Sequence, residues 1–232
     1  MRDIILKVDA TLGVMPQFEP LTARRHFALI ASDYLAHVLL PDVLRCIAAQ
    51  APGLSFEIRP TGPSMTRDLE QGRVDFLITP AHLIAPEHPQ AVLFDDSYHV
   101  IACREHPHLG ARIRPAQYRR LGHVVYQNES GNNPWFEQWH AEAHGATRRV
   151  EVVARGFALI PQFIVGTRRI ATLQTRLAQQ LAQSLPIRLF KPPMAVPRLS
   201  MVLQWHSYRS ADPGVAWVRA QIEACAAQMP AV

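Results

Sequence analysis

The chain has 232 residues, of which 48% are hydrophobic; this is too apolar for a disordered chain and long enough for two lobes that each bury a core. Its net charge of +5 comes from scattered arginines, among them the pairs Arg24-Arg25, Arg119-Arg120, Arg148-Arg149 and Arg168-Arg169. They form no continuous basic block, so most read as solvated surface and the rest as contacts for anionic ligands or nearby DNA. Cys46, Cys103 and Cys225 are odd in number and far apart, which excludes a disulfide framework and a zinc spacing. No apolar run is long enough for a secretory signal or a membrane helix, so a cytoplasmic setting is expected.

In chain order, residues 2–12 predict a helix, and 13–20 a linker with two prolines. A strand follows over 24–31, then a helix from about Asp33 with Ser32 as N-cap. Pro41 should kink that helix or begin its main part. Residues 54–59 form the second strand. Ser64 can cap a helix over 65–71, which Gly72 ends, and 74–79 is a short buried strand. Residues 92–103 predict one long extended segment, able to leave one lobe and enter another.

The second half repeats this rhythm. A short helix at 115–121 leads to a strand at 123–127, a polar turn at 128–133 and a helix at 134–144 with proline in its first turn. Strands at 149–153 and 170–173 alternate with helices at 157–165 and 175–183. Residues 199–206 form a second long extended segment that can return to the first lobe. Asp212-Pro213 opens a final helix over 215–227 with Trp217 and Ile222 on its inner face. Alternating strands and helices imply an α/β fold with two mostly parallel sheets. The expected division is a linker piece at 1–20, lobe one at 21–97 plus 205–232, and lobe two at 98–204.

Parallel sheets gather ligands at the carboxyl ends of their strands. Ser32-Asp33, Thr61-Gly62 and Ser130-Gly131 follow strands there, offering hydroxyls and free N–H groups to a ligand, or simply capping helices. Arg176 opens the helix after residues 170–173, where it can clamp an anion or make a surface ion pair. His140 and His144 stand four apart on one helix, a metal-compatible spacing. Near a helix C-terminus the dipole favours their imidazolium forms, so the spacing reads as ordinary surface chemistry and no metal is expected. Trp135, Phe136 and Trp139 read as a core stripe. No nucleophile elbow, phosphate loop or dinucleotide fingerprint is present, and no cofactor is expected.

The segments SDYLAHVLLPDVL, LEQGRVDFLITP, LFDDSYHVIACREHP, GHVV, VGTRRIATLQTRLAQQ and QWHSYRSADPGVAWVR carry a family likeness. Together they resemble the effector-binding domain of LysR-type transcriptional regulators, in the branch of nodulation-gene activators and regulators of aromatic-compound degradation. The likeness runs from about Arg2 to Ala227. It implies a two-lobed type 2 periplasmic-binding-protein-like fold joined by two crossover strands. It also implies a regulatory piece without the family's N-terminal winged helix-turn-helix, its first residues resembling the end of the linker helix.

Carried onto this chain, the inducer pocket would use Ser32, Asp33, Tyr34, Pro60, Thr61, Asp96, Asn133, Phe157, Arg176 and Met201. Salicylate-type sensors have imidazoles where this chain has Asp96 and Asn133. Asp96 would repel a carboxylate unless protonated or paired with Arg176, and would accept hydrogen bonds from phenolic hydroxyls. A neutral or polyhydroxylated aromatic effector is therefore expected. The resemblance further implies a homo-oligomer, dimer or tetramer, that reaches promoter DNA only through the absent domain and uses no membrane. A solute-binding protein of a transporter shares the fold and is the alternative. An enzyme has no acid–base or metal constellation to support it.

Overall fold

A computed structural model of the chain describes residues 18–127, 135–145 and 148–232. The expected helix at 2–12, most of the linker, and the turn at 128–133 with Asn133 lie outside the described residues. The chain runs β1 (Arg25–Ile30), α1 (Asp33–Val38), α2 (Leu40–Gln50), β2 (Leu54–Arg59), α3 (Met65–Glu70), β3 (Phe76–Pro80) and β4 (Gln90–Asp96). It continues through β5 (Tyr98–Cys103), α4 (Pro115–Arg120), β6 (Gly122–Tyr126), α5 (Trp135–His144), β7 (Arg149–Ala154), β8 (Ile170–Gln174) and α6 (Thr175–Ala182). β9 (Ile187–Phe190), β10 (Leu199–Trp205) and α7 (Pro213–Ala227) complete it, with short 3-10 turns at Ala81–Leu83, Phe157–Phe163 and Ser207–Arg209.

Two compact units result. The first takes the described residues up to Asp95 together with Leu199–Ala231, and the second takes Asp96–Arg198. The first sheet has the order β2-β1-β3-β10-β4. β1 lies parallel to β2 and β3, and β10 runs antiparallel to β3. β1 lies between β2 and β3, and Phe27, Ala28, Leu29 and Ile30 are all buried, as a strand covered on both faces requires. Helix geometry breaks at Leu39 (φ −129°, ψ −54°), and Pro41 falls in the first turn of α2. Proline's missing N–H costs nothing there.

Ser32 and Ser64 stand at the expected N-cap positions, but neither makes a side-chain cap bond. Ser64 is itself helical and donates to the Asp68 carboxylate at 2.8 Å. Asp212 does cap α7, accepting from the N–H groups of Gly214 (2.9 Å) and Val215 (3.1 Å). The same carboxylate takes Arg25 in a bidentate pair at 2.8 and 2.7 Å. Asp75 accepts from Arg209 and from the Ala28 N–H, so charge ties the start of β1, the approach to β3 and the cap of α7 together. On α7 the buried face is Val215, Val218 and Ile222; Trp217 is only half-buried and leans on Phe18 at 5.5 Å.

The second sheet has the order β7-β6-β8-β5-β9, with β6 parallel to β7 and β8, and β5 antiparallel to β8 and β9. The single extended segment expected at 92–103 is broken at Ser97, and β4 and β5 belong to different sheets. All of β10 lies in the first sheet. Residues 157–163 are a 3-10 turn instead of α-helix, because Pro161 lacks the N–H that would bond the Phe157 carbonyl. β9 was not foreseen: four residues between prolines carry little periodicity, and pairing with β5 makes them a strand. On α5 the buried residues are Phe136 and His140, with Trp135 and Trp139 half-buried. Arg148 is not solvated surface: it is buried in an ion pair with Glu137 and lies over the Phe136 ring at 5.5 Å.

Candidate ligand-binding site

In the first unit, strand register defines one polar edge. Ile30 of β1 pairs with Arg59 of β2, so Ser32 and Thr61 each lie two residues past the same rung. The Ala31 N–H donates to the Arg59 carbonyl at 3.0 Å, closing the ladder just before the turns. Ser32, Asp33 and Thr61 are half-buried, Tyr34 is buried and Pro60 is exposed. β10 runs antiparallel to β3 and places Met201 opposite Pro80, so buried Met201 joins this edge. Thr79, at the carboxyl end of β3, is fully buried and its Oγ1 has no hydrogen-bond partner.

The second unit has an edge of its own. Tyr98 pairs with Gln174, which brings Asp96 and Ser97 beside the start of α6. Asp96 is fully buried. Its carboxylate accepts from the Ser97 N–H at 2.7 Å and the Arg176 N–H at 3.4 Å. Asp96 thus meets Arg176 at its backbone N–H, at a helix N-terminus where the dipole favours negative charge. The hydroxyl of Thr175 bonds Ser97 Oγ and His99 Nδ1, each at 2.7 Å. Burial pushes the His99 imidazole down, against the charge of Asp96, and Lys191 adds to the effect. Burial pushes the Tyr98 phenol up, and the charges of Asp96 and Glu137 reinforce it. Phe157 stacks on Tyr126 at 4.0 Å across the ends of β6 and β7. Gln174 is buried with its Oε1 lacking any hydrogen-bond partner.

The structure thus brings Ser32, Asp33, Tyr34, Pro60, Thr61 and Met201 to one strand-end edge. It brings Asp96, Phe157 and Arg176 to another. Sequence reasoning missed Thr79 and Gln174. Both are the last polar side chains of apolar strands, and that pattern was the available signal. A separate cavity of about 380 Å³ in the second unit is lined by Tyr118, Arg119, His140, His144 and Met194. The His140 and His144 ring centroids are 5.2 Å apart. Burial, then the charges of Arg148 and His144, push His140 down to about 4, so its imidazole is neutral at pH 7 despite its place near a helix C-terminus. No group of three metal-ligating side chains occurs among the described residues.

Each edge can present hydroxyls, amides and buried acceptors to a small polar molecule. Residues 22–226 match the family described as the LysR substrate binding domain. The chain is 34% identical over 219 residues to nodulation protein D 2 of Rhizobium tropici, covering 94% of this chain and 69% of that protein. It is 33% identical over 219 residues to nodulation protein D 1 of Bradyrhizobium diazoefficiens, covering 94% and 70%. A probable transcriptional regulator of Pseudomonas aeruginosa superposes with a TM-score of 0.84 at 23% identity, over 95% of this chain and 73% of the other. The regulatory domain of MexT, a transcriptional activator of the same organism, gives 0.74 at 21% identity, over 86% and 99%.

Proposed function

The chain belongs to the LysR substrate-binding family and is a ligand-sensing regulatory domain of a transcription factor; on that premise we propose that its inducer is a small aromatic molecule rich in hydroxyl groups. The observation that carries this is a buried polar atom, Gln174 Oε1, left without a partner at the strand-end edge of the second unit that also holds Arg176 and Phe157. Leaving such an atom unsatisfied costs about 1–3 kcal/mol, which a hydroxyl from a ligand would recover. Asp96 supports the same reading, since its carboxylate already serves the α6 N-terminus and disfavours a ligand carboxylate beside it. Arg176 supplies a positive charge for a phenolate oxygen, and the stacked rings of Tyr126 and Phe157 supply apolar area.

In the full regulator, inducer binding controls transcription through a homo-oligomer whose DNA contacts lie outside this domain, in the cytoplasm. The edge strands β2 and β7 leave Ile58, Val150 and Val153 exposed, and these are apolar surfaces suited to self-association. No described helix is long and apolar enough to cross a membrane.

The test is a thermal-shift screen followed by titration calorimetry, with matched neutral polyhydroxylated aromatics and aromatic carboxylates. Binding to the native state raises the melting temperature by mass action. The polyhydroxylated set should raise it most. A response confined to the carboxylates would overturn the ligand class, and no response to any aromatic would overturn the aromatic reading.

A further inference from the structure

We infer that Cys46 and Cys225 form an oxidisable thiol pair whose disulfide cross-links α2 to α7. Sequence separation hides this pair, and helix register reveals it. Along α2, Asp42, Cys46 and Gln50 fall at successive turns on one face, and along α7 Gln221 and Cys225 do the same. Gln50 Nε2 donates to Gln221 Oε1 at 3.1 Å, which fixes the facing of the two helices. One turn back on α2 stands Cys46, and one turn onward along α7 stands Cys225. The helices approach within 8 Å, Cα to Cα, along this seam, and Cys46 is near enough to Cys225 to act on its titration. Cys46 is exposed and Cys225 half-buried. The third cysteine, Cys103, is buried in the other unit, where its sulfur accepts from the Gly166 N–H at 3.3 Å.

The two thiols are not equivalent. Burial pushes the Cys225 thiol up to about 11, helped by the nearby Cys46 and by the charge of Asp42. Cys225 is therefore protonated at neutral pH, and reaction begins at the accessible Cys46 sulfur. A peroxide transfers one oxygen to that sulfur as its O–O bond breaks, giving a sulfenic acid and, from hydrogen peroxide, water. The Cys225 sulfur then attacks the Cys46 sulfur. The S–O bond breaks, the leaving hydroxide takes the Cys225 proton as a second water, and the S–S bond forms. Two thiols lose two electrons and two protons, and one peroxide is reduced to two waters.

The bond would have a consequence peculiar to this fold. Cys46 precedes the second unit in the chain and Cys225 follows it, so the cross-link joins the two separate stretches that make up the first unit. It closes a long loop in the unfolded chain, where the entropic effect of a cross-link is largest.

The experiment treats the intact chain with hydrogen peroxide, alkylates the remaining thiols and maps the peptides by mass spectrometry. The expected product is a Cys46–Cys225 cross-linked peptide with only Cys103 alkylated, reversed by dithiothreitol. The melting temperature of the oxidised chain should rise by roughly 5 °C or more. Cys46→Ser and Cys225→Ser should each abolish the cross-link and the shift, and Cys103→Ser should keep both. Four outcomes would overturn the inference: sulfinic acid at Cys46 with Cys225 still free, a disulfide using Cys103, a cross-link only between two chains, or no oxidation.

Discussion

Asp96 places both its carboxylate oxygens on backbone N–H groups, so the negative charge wanted at the α6 N-terminus comes from the protein itself. We propose that Arg176 is the charged group an inducer meets on this edge, and Thr61 a neutral group of the first unit's edge. Arg176→Ala should weaken a phenolic or anionic inducer by about 1.5–3 kcal/mol, because a charge-assisted bond is lost. Thr61→Ala should cost about 0.5–1.5 kcal/mol. Neither side chain is part of a core, so thermal unfolding of the ligand-free variants should match the parent chain. Calorimetry of both with one inducer checks the order, and equal or reversed losses would place the pocket's charge elsewhere. At this scale the sequence was partly legible. Polar residues after strands stand out, but whether Asp96 meets a ligand or a helix depends on where β5 pairs with β8.

Among the elements, α7 is held by Asp212, which caps it and pairs with Arg25. Burial pushes the Asp212 carboxyl up, but the Arg25 hydrogen bonds, the Val215 and Gly214 N–H groups and the Arg25 charge outweigh it and hold it below the usual range. A depressed carboxyl contributes stability that is present above the unfolded value near 4 and lost as pH falls through the folded one. Asp212→Ala should cost about 1–3 kcal/mol at pH 7. The denaturant midpoints of variant and parent should converge on strong acidification; a constant gap down to pH 2 would contradict this account.

His123, in β6, adds a second loss of stability in acid, at higher pH. Burial first, then the charge of Arg148, pushes it down to about 4 while its Nε2 bonds the Tyr118 carbonyl. The unfolded chain therefore binds a proton below about pH 6.5 that the folded chain refuses, and stability falls as pH drops from there to about 4. The loss should be of order 3 kcal/mol by pH 4. His123→Phe should flatten that limb in pH-dependent urea unfolding, and an unchanged limb would assign the acid sensitivity to another group.

In the whole molecule, a net charge of +5 does not make a nucleic-acid face. Arg25, Arg148, Arg169 and Arg209 are each spent on a carboxylate. The chain should bind duplex DNA weakly and without sequence preference, and a rise from 50 to about 200 mM salt should abolish retention in a gel-shift assay. Salt-resistant, sequence-selective retention would refute this. The amino-acid sequence by itself determined the α/β class and most strands and helices, because hydrophobic period and turn residues act over a few neighbours. It also determined the family, through motifs carried in single segments. Tertiary structure alone decided that Arg148 is buried on Glu137, that four residues at Ile187–Phe190 become a strand, and that Asp96 serves a helix. It alone brought Gln50 to Gln221, and with them the faces of α2 and α7 that carry Cys46 and Cys225. Each of these is a contact between distant segments, and its energy depends on packing that no local pattern encodes.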